Sequence, residues 1–244
     1  MNKIIAVASG KGGTGKSTVS VGIGRELANA GNKVLIIDCD SGMRGVDIML
    51  GVSRNLVFDM ADVVSGECEI ENSVYPCGSG GNLFMIPAPN DADDELSPNV
   101  FKRFLEAVAD VFDYIIIDSP AGVGSGLKTA VSIADMALVV CNPEPASLRG
   151  CNNVRRILLE NGISNIRLII NKFSERSFIG MGFYPDLDAV IDETGIQLIG
   201  IVPEDLRMAA SVQSGVLPEK SSLAKGAFER IAMRIRGEKV MLPF

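Results

Sequence analysis

The stretch Gly10-Lys11-Gly12-Gly13-Thr14-Gly15-Lys16-Ser17-Thr18 decides how this chain folds. It satisfies the pattern G-x-x-x-x-G-K-[ST], a glycine-rich turn between a strand and a helix whose backbone N–H groups surround phosphate oxygens. The surrounding sequence fits this pattern, because the apolar run Lys3–Ser9 precedes the turn and the helix-forming stretch Lys16–Ala30 follows. The stretch therefore predicts a phosphate-binding site at the N-terminus of a helix.

The residue types in the loop suit a nucleotide and its magnesium ion. Glycine in such numbers costs folding entropy unless a ligand uses the curled backbone. Lys16 would bring positive charge to the β- and γ-phosphates, and the Ser17 hydroxyl would bind Mg²⁺, which prefers hard oxygen ligands. We expect nucleotide contacts along the loop, from Gly10, Lys11, Gly12, Gly13, Thr14, Gly15, Lys16 and Ser17.

The composition indicates a single cytoplasmic domain over residues 1–244. Apolar residues make up 47% of the chain, enough to cover both faces of a sheet, whereas runs such as Met136–Val140 are too short to span a bilayer. The net charge of −7 argues against a basic surface that binds nonspecific DNA. The chain has no histidine, which excludes imidazole ligands and histidine bases.

Short β-rich runs alternate with longer helical patterns, as in a parallel sheet with crossover helices. We predict a doubly wound α/β fold of the P-loop NTPase kind, a Rossmann-like three-layer sandwich with about seven or eight mostly parallel strands. The predicted strands are Lys3–Ser9, Lys33–Asp38, Leu83–Pro87, Tyr114–Asp118, Met136–Asn142, Arg167–Asn171 and Gln197–Val202. The predicted helices are Lys16–Ala30, Pro98–Val111, Gly126–Ile133, Ala146–Asn161, Pro185–Glu193, Asp205–Ser214 and Ser221–Arg236.

Acids follow two of the predicted strands, at the sheet edge where ligands bind in such folds. Asp38 and Asp40 end the second strand and lie on the same side of an extended segment. One of them could orient the hydration shell of the metal while the other positions the attacking water. Asp118 ends the fourth strand and is expected to bind Mg²⁺ through water.

Two further strand ends are candidates for the adenine site. Asn171 ends the sixth strand, and its amide offers the donor and the acceptor that an adenine edge requires. Pro203, Glu204 and Asp205 follow the seventh strand. Either segment alone would more often form a turn or a helix cap, so the value of both depends on the surrounding frame.

Five segments resemble the MinD/ParA family of P-loop ATPases with a deviant Walker A motif, and within that family the MinD branch. They run in family order over nearly the whole chain, as Ser9–Thr18, Asp38–Asp47, Asp118–Gly122, Asn142–Glu144 and Gly200–Asp205. The resemblance implies an enzyme that hydrolyses ATP with Mg²⁺ and forms a homodimer when ATP is bound. It also implies slow turnover until a protein activator binds, and a task in placing the division site.

The resemblance assigns a role to each matched residue. Lys11 would cross a two-fold interface and touch phosphates in the partner subunit, as an arginine finger does. Asp40 would position the hydrolytic water. Lys16 and Thr18 would bind phosphate, and Mg²⁺ would be bound by Ser17, Asp118 and more weakly Asp38. Adenine would be contacted by Asn171, Pro203, Glu204 and Asp205. Glu144 and Arg149 would lie near the dimer surface.

The end of the chain departs from the MinD pattern, which includes a short basic amphipathic tail that binds membrane. Only Glu238–Phe244 follow Gly237, and Pro243 interrupts that segment. We expect a final core helix with a solvated basic face, and no membrane binding except through a partner. The predicted apolar stripe of this helix is Leu223, Ala227, Phe228, Ile231 and Ile235, opposite Lys225, Arg230 and Arg234.

Two other functions on the same fold are alternatives. A metal-cluster carrier or metal-insertion ATPase would need paired cysteines at the dimer interface. Cys141 and Cys151, two of the five cysteines, are ten positions apart and outside any C-x-x-C motif. A ParA-like factor that positions DNA or cargo would need a basic surface, against which the acidic composition argues. The sequence names neither the activator nor the cargo.

Overall fold

One eight-stranded β-sheet runs through the structure, a computed structural model that describes residues 3–41, 44–91, 97–208, 210 and 222–242. The strands are β1 (Lys3–Ala8), β2 (Val34–Asp38), β3 (Tyr75–Cys77), β4 (Leu83–Ile86), β5 (Tyr114–Asp118), β6 (Met136–Cys141), β7 (Ile166–Phe173) and β8 (Leu198–Pro203). Their order across the sheet is β3-β4-β2-β5-β1-β6-β7-β8. Only the edge pair β3 and β4 is antiparallel among these strands, so the predicted doubly wound, mostly parallel sheet is confirmed.

Helices cover both faces of the sheet. Within the described residues the α-helices are α1 (Lys16–Asn29), α2 (Val46–Leu50), α3 (Met60–Ser65), α4 (Pro98–Ala109), α5 (Ser125–Val131), α6 (Pro145–Glu160), α7 (Glu175–Met181), α8 (Leu187–Thr194) and α9 (Leu223–Ile235). Helices α1 and α9 share one apolar core, and α4, α5, α6 and α8 form the cores of the opposite face.

The side chains of strand β1 alternate between two apolar cores, one on each face of the sheet. Successive side chains of a strand point to opposite faces of the sheet. Ile5 and Val7 accordingly join the core with α1 and α9, whereas Ala6 and Ala8 join the core with α6. A strand that is buried twice needs apolar residues at every position, which explains the unbroken apolar runs of the sequence.

The parallel register brings the expected site residues together at the carboxyl ends of the strands. Asp38 of β2 is paired with Asp118 of β5, and Asp118 is paired with Val7 of β1. The phosphate loop leaves β1 only two residues beyond Val7, after Ala8 and Ser9. The second and fourth expected strands therefore place their acids beside the loop.

Short elements are the part of the fold that the sequence patterns missed. Strand β3 and helices α2, α3 and α7 span at most seven residues each, too few to show a helical or alternating period. Pro76 lies inside β3, where it is tolerated because an edge strand does not need every N–H group for pairing. Half of the expected helix Asp205–Ser214 lies outside the described residues, and within its described part residues 206–208 and 210 are helical.

Helices α1 and α9 approach each other at Gly22. A Cβ atom on Gly22 would lie 2.4 Å from the Phe228 ring, which is buried. By contrast, a Cβ atom on Gly226, two residues before Phe228 in α9, would meet only the Arg230 guanidinium at 3.5 Å. The interface thus depends on the absence of a side chain at Gly22 but not at Gly226.

We predict opposite effects for alanine at these two glycines. Gly22→Ala forces the Phe228 ring to move and lowers the free energy of unfolding by about 1–3 kcal/mol, as overpacking of a core does. Gly226→Ala removes backbone entropy from the unfolded chain and raises that free energy by about 0.5–1 kcal/mol. Urea denaturation of both variants measures the difference, and equal stability of the two would contradict the packing at Gly22.

Candidate functional site

The phosphate loop enters α1 through glycines in the left-handed region. Gly13 has a φ of 77° and Gly15 a φ of 92°, values that a side chain would strain. Gly15 is the N-cap of α1, and no side-chain hydrogen bond caps this end of the helix within the described residues. The N–H groups of the first turn are therefore available to an anion.

Buried polar groups of the loop fit a phosphate ligand. Lys16 and Thr14 are both buried, although both carry polar groups. The Thr14 hydroxyl oxygen has no hydrogen-bond partner within the described residues. Because an unpartnered buried hydroxyl is costly, a ligand that supplies acceptor oxygens suits this position.

The backbone of helix α6 is in direct contact with the backbone of the phosphate loop. A Cβ atom on Gly10 would lie 2.3 Å from backbone atoms of Gly150, which is in the middle of α6. This close approach requires glycine at Gly10 and leaves little room at Gly150, where a Cβ atom would meet Gly10 at 3.0 Å. The loop position is thus set by the position of α6.

Asp118 is connected to the start of α1. Its Oδ1 atom accepts a hydrogen bond of 2.8 Å from the Ser20 hydroxyl. Burial raises the pKa of Asp118, while a hydrogen bond from Ser17 and the charge of Lys16 oppose that rise. The predicted pair Ser17 and Asp118 is therefore together, and its hydroxyl and carboxylate oxygens are the donors that Mg²⁺ prefers.

Asp38 is tied to the backbone that follows it. Its Oδ1 atom accepts from the Asp40 N–H at 3.0 Å, and its Oδ2 atom accepts from the N–H groups of Gly45 and Val46 at 3.4 Å. Burial and the neighbouring Asp118 raise the pKa of Asp38 to about 7. These bonds support a role in shaping the turn between β2 and α2, beside the metal role expected from the sequence.

Asp40 differs from Asp38 in its exposure and its partner. It is only half-buried, and burial raises its pKa while the charge of Lys16 opposes the rise. The carboxylate is thus close enough to Lys16 for electrostatic interaction and is open to solvent. A position of this kind suits a group that contacts a water molecule at the γ-phosphate end of a nucleotide.

Lys11 lies at the surface of the loop. Its Nζ atom is 3.6 Å from the Glu144 Oε2 atom, and the two side chains are 51% and 41% exposed. An exposed ion pair contributes about 0–1 kcal/mol, so Lys11 can leave Glu144 at little cost. Of the two residues expected near a dimer surface, Glu144 therefore contacts Lys11, and Arg149 is exposed on α6.

The candidate adenine residues make contacts that the sequence did not predict. Asn171 is buried, and its Nδ2 atom donates 2.8 Å to the Thr14 carbonyl oxygen, so the amide N–H serves the phosphate loop. The Asp205 carboxylate accepts from the Arg207 N–H and, at 2.6 Å, from the Ser222 hydroxyl. Asp205 therefore joins β8 to the start of α9, and the Glu204 N–H is bonded to the Phe173 carbonyl at 2.8 Å.

Three residues of the site were missed or given no role by the sequence argument: Ser20, Gly150 and Lys172. Ser20 lies one helical turn after Lys16 and three residues after Ser17, a spacing that places it on the same face of α1. Gly150 stands inside a helix, where glycine is unfavourable unless another backbone lies close. For Lys172 the sequence offers no signal of this kind.

A family model described as an AAA domain matches residues 2–172. The chain is also 35% identical over 244 residues to the septum site-determining protein MinD of Synechocystis sp., covering 98% of this chain and 91% of the relative. The chain belongs to the MinD/ParA family of P-loop ATPases.

Solved MinD structures have the same fold. MinD in the MinC:MinD complex of Aquifex aeolicus has a TM-score of 0.90 at 32% identity, covering 99% of each chain. MinD of Pyrococcus horikoshii, solved with Mg-ADP, has a TM-score of 0.85 at 28% identity, covering 96% of each chain. The MinD/ParA family resemblance seen in the sequence is thus confirmed by sequence and by fold.

The cysteines of this family member do not form an exposed pair. Cys141 of β6 and Cys151 of α6 are both buried, and their side chains are hydrogen-bonded. This bond and burial raise the pKa of Cys141 well above that of an ordinary thiol. Across the described ranges, no group of three or more histidine, cysteine, aspartate or glutamate side chains could hold a metal ion.

Stability without nucleotide or Mg²⁺ is predicted to rise as the pH falls. The Asp38 carboxyl has its pKa raised from 3.8 to about 7 by folding, so the folded protein gains protons in this range. The free energy of unfolding should increase from pH 8 toward pH 5, with a slope of at most about 1.4 kcal/mol per pH unit for this group. Asp38→Asn removes the titrating group and should make the slope shallower.

Urea denaturation at several pH values measures the slope. Asp135→Asn is the matched control, because Asp135 also accepts a backbone N–H bond, from Ile4 at 2.9 Å. Asp135 directly precedes β6 and therefore lies at the N-terminal ends of the strands, away from the site. A wild-type stability that falls from pH 8 to pH 5 would be the contrary result.

Proposed function

We propose that this chain is a Mg²⁺-dependent ATPase that forms a homodimer when ATP is bound and acts as a switch in placing the division site. The observation that carries the proposal is the exposed Lys11 at the mouth of a loop that also faces Asp40 and Asp118. Inside the loop, Lys16 supplies positive charge for binding the phosphates. Within the described residues, the Lys11 side chain makes only a weak surface ion pair, with Glu144.

The loop residues bind the phosphates of ATP in this proposal. Gly10, Gly12, Gly13 and Gly15 supply the curled backbone, and Lys16 and Thr18 hold the phosphate oxygens. Ser17 and Asp118 would hold Mg²⁺, Asp118 through water, and the ion would neutralise charge that develops on the phosphates. The MinD of Pyrococcus horikoshii complexed with Mg-ADP supports nucleotide and magnesium in this role.

Hydrolysis requires a positioned water molecule. Asp40 is the acid in this proposal because it is solvent-accessible and lies near Lys16, whereas Asp38 is occupied by backbone N–H groups. The Asp40 carboxylate accepts a hydrogen bond from the water and orients its attack on the γ-phosphate. The same acid is poorly activated without further charge, which fits slow turnover.

Lys11 supplies that further charge to the partner subunit. In the two-fold dimer that we propose, the side chain leaves Glu144 and reaches the phosphates of the facing subunit. The exchange is favoured because several phosphate oxygens replace one exposed carboxylate. ATP therefore favours the dimer, and hydrolysis removes the charge that holds it together.

Adenine and a protein partner complete the proposal. The Asn171 amide gives its N–H to Thr14, which leaves the Oδ1 atom to accept from an adenine amino group, beside Pro203, Glu204 and Asp205. The Asp205 carboxylate is used by helix caps, so its contact would come from the backbone. The MinC:MinD complex of Aquifex aeolicus supports a protein partner, as activator or as cargo.

Substitution of Lys11 and of Asp40 should separate dimerisation from hydrolysis. Lys11→Ala is expected to bind ATP but to remain monomeric, because the charge delivered to the partner is lost. Asp40→Ala is expected to bind ATP and accumulate dimer, with turnover reduced by about 10²-fold or more. Size-exclusion chromatography with light scattering, with and without Mg-ATP, measures both effects.

Two controls keep these results interpretable. Lys16→Ala should lose nucleotide binding and dimerisation together, because it removes the charge inside the loop. Lys102→Ala removes an exposed lysine of α4 that pairs with Glu106 and should behave as wild type. A Lys11→Ala dimer as tight as that of the wild type would refute the role of Lys11 in the partner subunit.

Helix α9 is not expected to bind membrane. Its residues Ala227, Phe228, Ile231 and Ile235 are buried against the sheet, as the sequence predicted, although Leu223 is 71% exposed. The Arg234 guanidinium is bonded to the carbonyl oxygens of Ile199, Val240 and Met241, so part of the basic face has a structural task. No helix within the described residues is long and apolar enough to cross a membrane.

Co-sedimentation with vesicles of anionic lipid measures this expectation. With Mg-ATP, we expect the protein to stay in the supernatant, since the apolar face of α9 is already covered. Arg230→Glu reverses a charge on α9 and should leave the distribution unchanged. If the wild type sediments with the vesicles and Arg230→Glu does not, the assignment of α9 as a core helix alone is wrong.

A further inference from the structure

Strand β7 carries a bulge at the point where it reaches the phosphate loop. Ile170 is paired with Ile201 and Phe173 with Pro203, so β7 advances three residues where β8 advances two. The extra residue lies within Asn171–Lys172. Lys172 has a φ of 53°, the only positive φ of a non-glycine residue among the residues described.

The bulge turns two consecutive side chains toward the same loop. In a regular strand, adjacent side chains point to opposite faces of the sheet. Here the Asn171 Nδ2 atom donates to the Thr14 carbonyl and the Lys172 Nζ atom donates to the Gly13 carbonyl, each at 2.8 Å. β-Bulges occur next to active sites because they redirect side chains in this way.

The two bonds reach the side of the loop that a phosphate does not use. A phosphate is bound by backbone N–H groups that point inward, while the carbonyl groups of the same peptides point away from it. Donors on the outer carbonyls therefore fix the peptide planes and hold the N–H groups toward the ligand. The strained backbone at Lys172 is maintained by the structure around it, as at many functional positions.

We propose that Asn171 and Lys172 are positioning residues that hold the phosphate loop in its binding conformation before nucleotide arrives. The proposal deepens the proposed function and rests on it for the consequence, which is tighter binding of phosphates. The physical reason is preorganisation: the loop loses less conformational entropy on binding when its peptide planes are already fixed.

The side chains of Asn171 and Lys172, which we call the clamp, pack closely against Gly15. A Cβ atom on Gly15 would lie 2.2 Å from the Asn171 Nδ2 atom and 3.9 Å from the Lys172 Cε atom. Both side chains therefore lie against the end of the loop. Asn171 also belongs to both parts of the proposed site, because its amide N–H is bonded to the phosphate loop and its Oδ1 atom is the proposed acceptor for adenine.

Three substitutions of Lys172 separate the hydrogen bond from the backbone strain. Lys172→Met removes the amine and keeps a side chain at the strained φ. Lys172→Gly also removes the amine, but glycine adopts this φ without strain. Lys172→Arg keeps a charged donor, and Lys102→Met controls for the loss of one exposed lysine elsewhere.

The first measurement uses the protein without nucleotide. Amide hydrogen exchange of a peptide that covers Gly12–Lys16 should become several-fold faster in Lys172→Met and Lys172→Gly, and stay at the wild-type rate in Lys172→Arg and Lys102→Met. Thermal unfolding should place Lys172→Gly above Lys172→Met, because only the methionine variant keeps the strained backbone.

The second measurement is calorimetric binding of ADP with Mg²⁺, together with steady-state ATP hydrolysis. The methionine and glycine variants should bind ADP about five- to tenfold more weakly, in line with the net contribution of one intramolecular hydrogen bond. The KM for ATP should rise accordingly, while kcat stays within about twofold, because the clamp acts on binding and not on the reacting water.

The outcomes decide between the clamp and a purely structural lysine. Weaker ADP binding and faster loop exchange in both variants support the clamp, whereas wild-type behaviour of both overturns it. An effect in Lys172→Met alone would show that strain and not the amine is responsible, and would also overturn it. Failure of the wild type to bind ADP would refute the proposed function, and loop exchange would still test the clamp.

Discussion

The parallel register of β2, β5 and β1 is the constraint on which the site depends. It places Asp38 beside Asp118 and both beside the exit of β1, where the phosphate loop begins. Two buried carboxylates at paired positions of neighbouring strands repel each other. Burial raises the pKa of both, and the charge of Asp118 raises that of Asp38 further. The hydroxyl of Ser20 and the backbone N–H groups that Asp38 accepts compensate part of this cost. In the proposed function, a bound cation would offset the repulsion that remains between these carboxylates.

The phosphate loop, a segment rich in glycine, is contacted from several sides. The backbone of α6 lies against Gly10, and the side chains of Asn171 and Lys172 hold the carbonyl groups of Thr14 and Gly13. Lys11 is the exception, since its side chain projects from the surface and makes one weak ion pair. A backbone held by contacts and an exposed charge are thus combined within nine residues of sequence, as the proposed nucleotide-dependent switch requires.

Much of this could be predicted from the sequence, for physical reasons that can be stated. Long apolar runs mark strands that are buried on both faces, so the seven longer strands were found with ends shifted by at most two residues. The roles of Asp40, Asp118 and Ser17 stay predictions, although the structure does bring Ser17 to Asp118 and Asp40 close to Lys16. The short elements β3, α2, α3 and α7 were missed, since so few residues show no period. Leu223 was assigned to a buried stripe, but it begins α9 and projects into solvent.

The sequence by itself determined the phosphate loop, the order of strands and helices, and the acids at the strand ends, because each of these follows from local patterns of residue type. The tertiary structure decided which polar groups are used up and which are free. It gave the Asn171 amide N–H to Thr14, the Asp205 carboxylate to helix caps, and the Lys172 amine to Gly13. The bonds of Asn171 and Lys172 join residues more than a hundred positions apart, and the bond of Asp205 reaches a residue 17 positions away. The physical reason is that such bonds depend on how strands and helices pack and, for Asn171 and Lys172, on a bulge in β7, none of which leaves a local trace in the sequence.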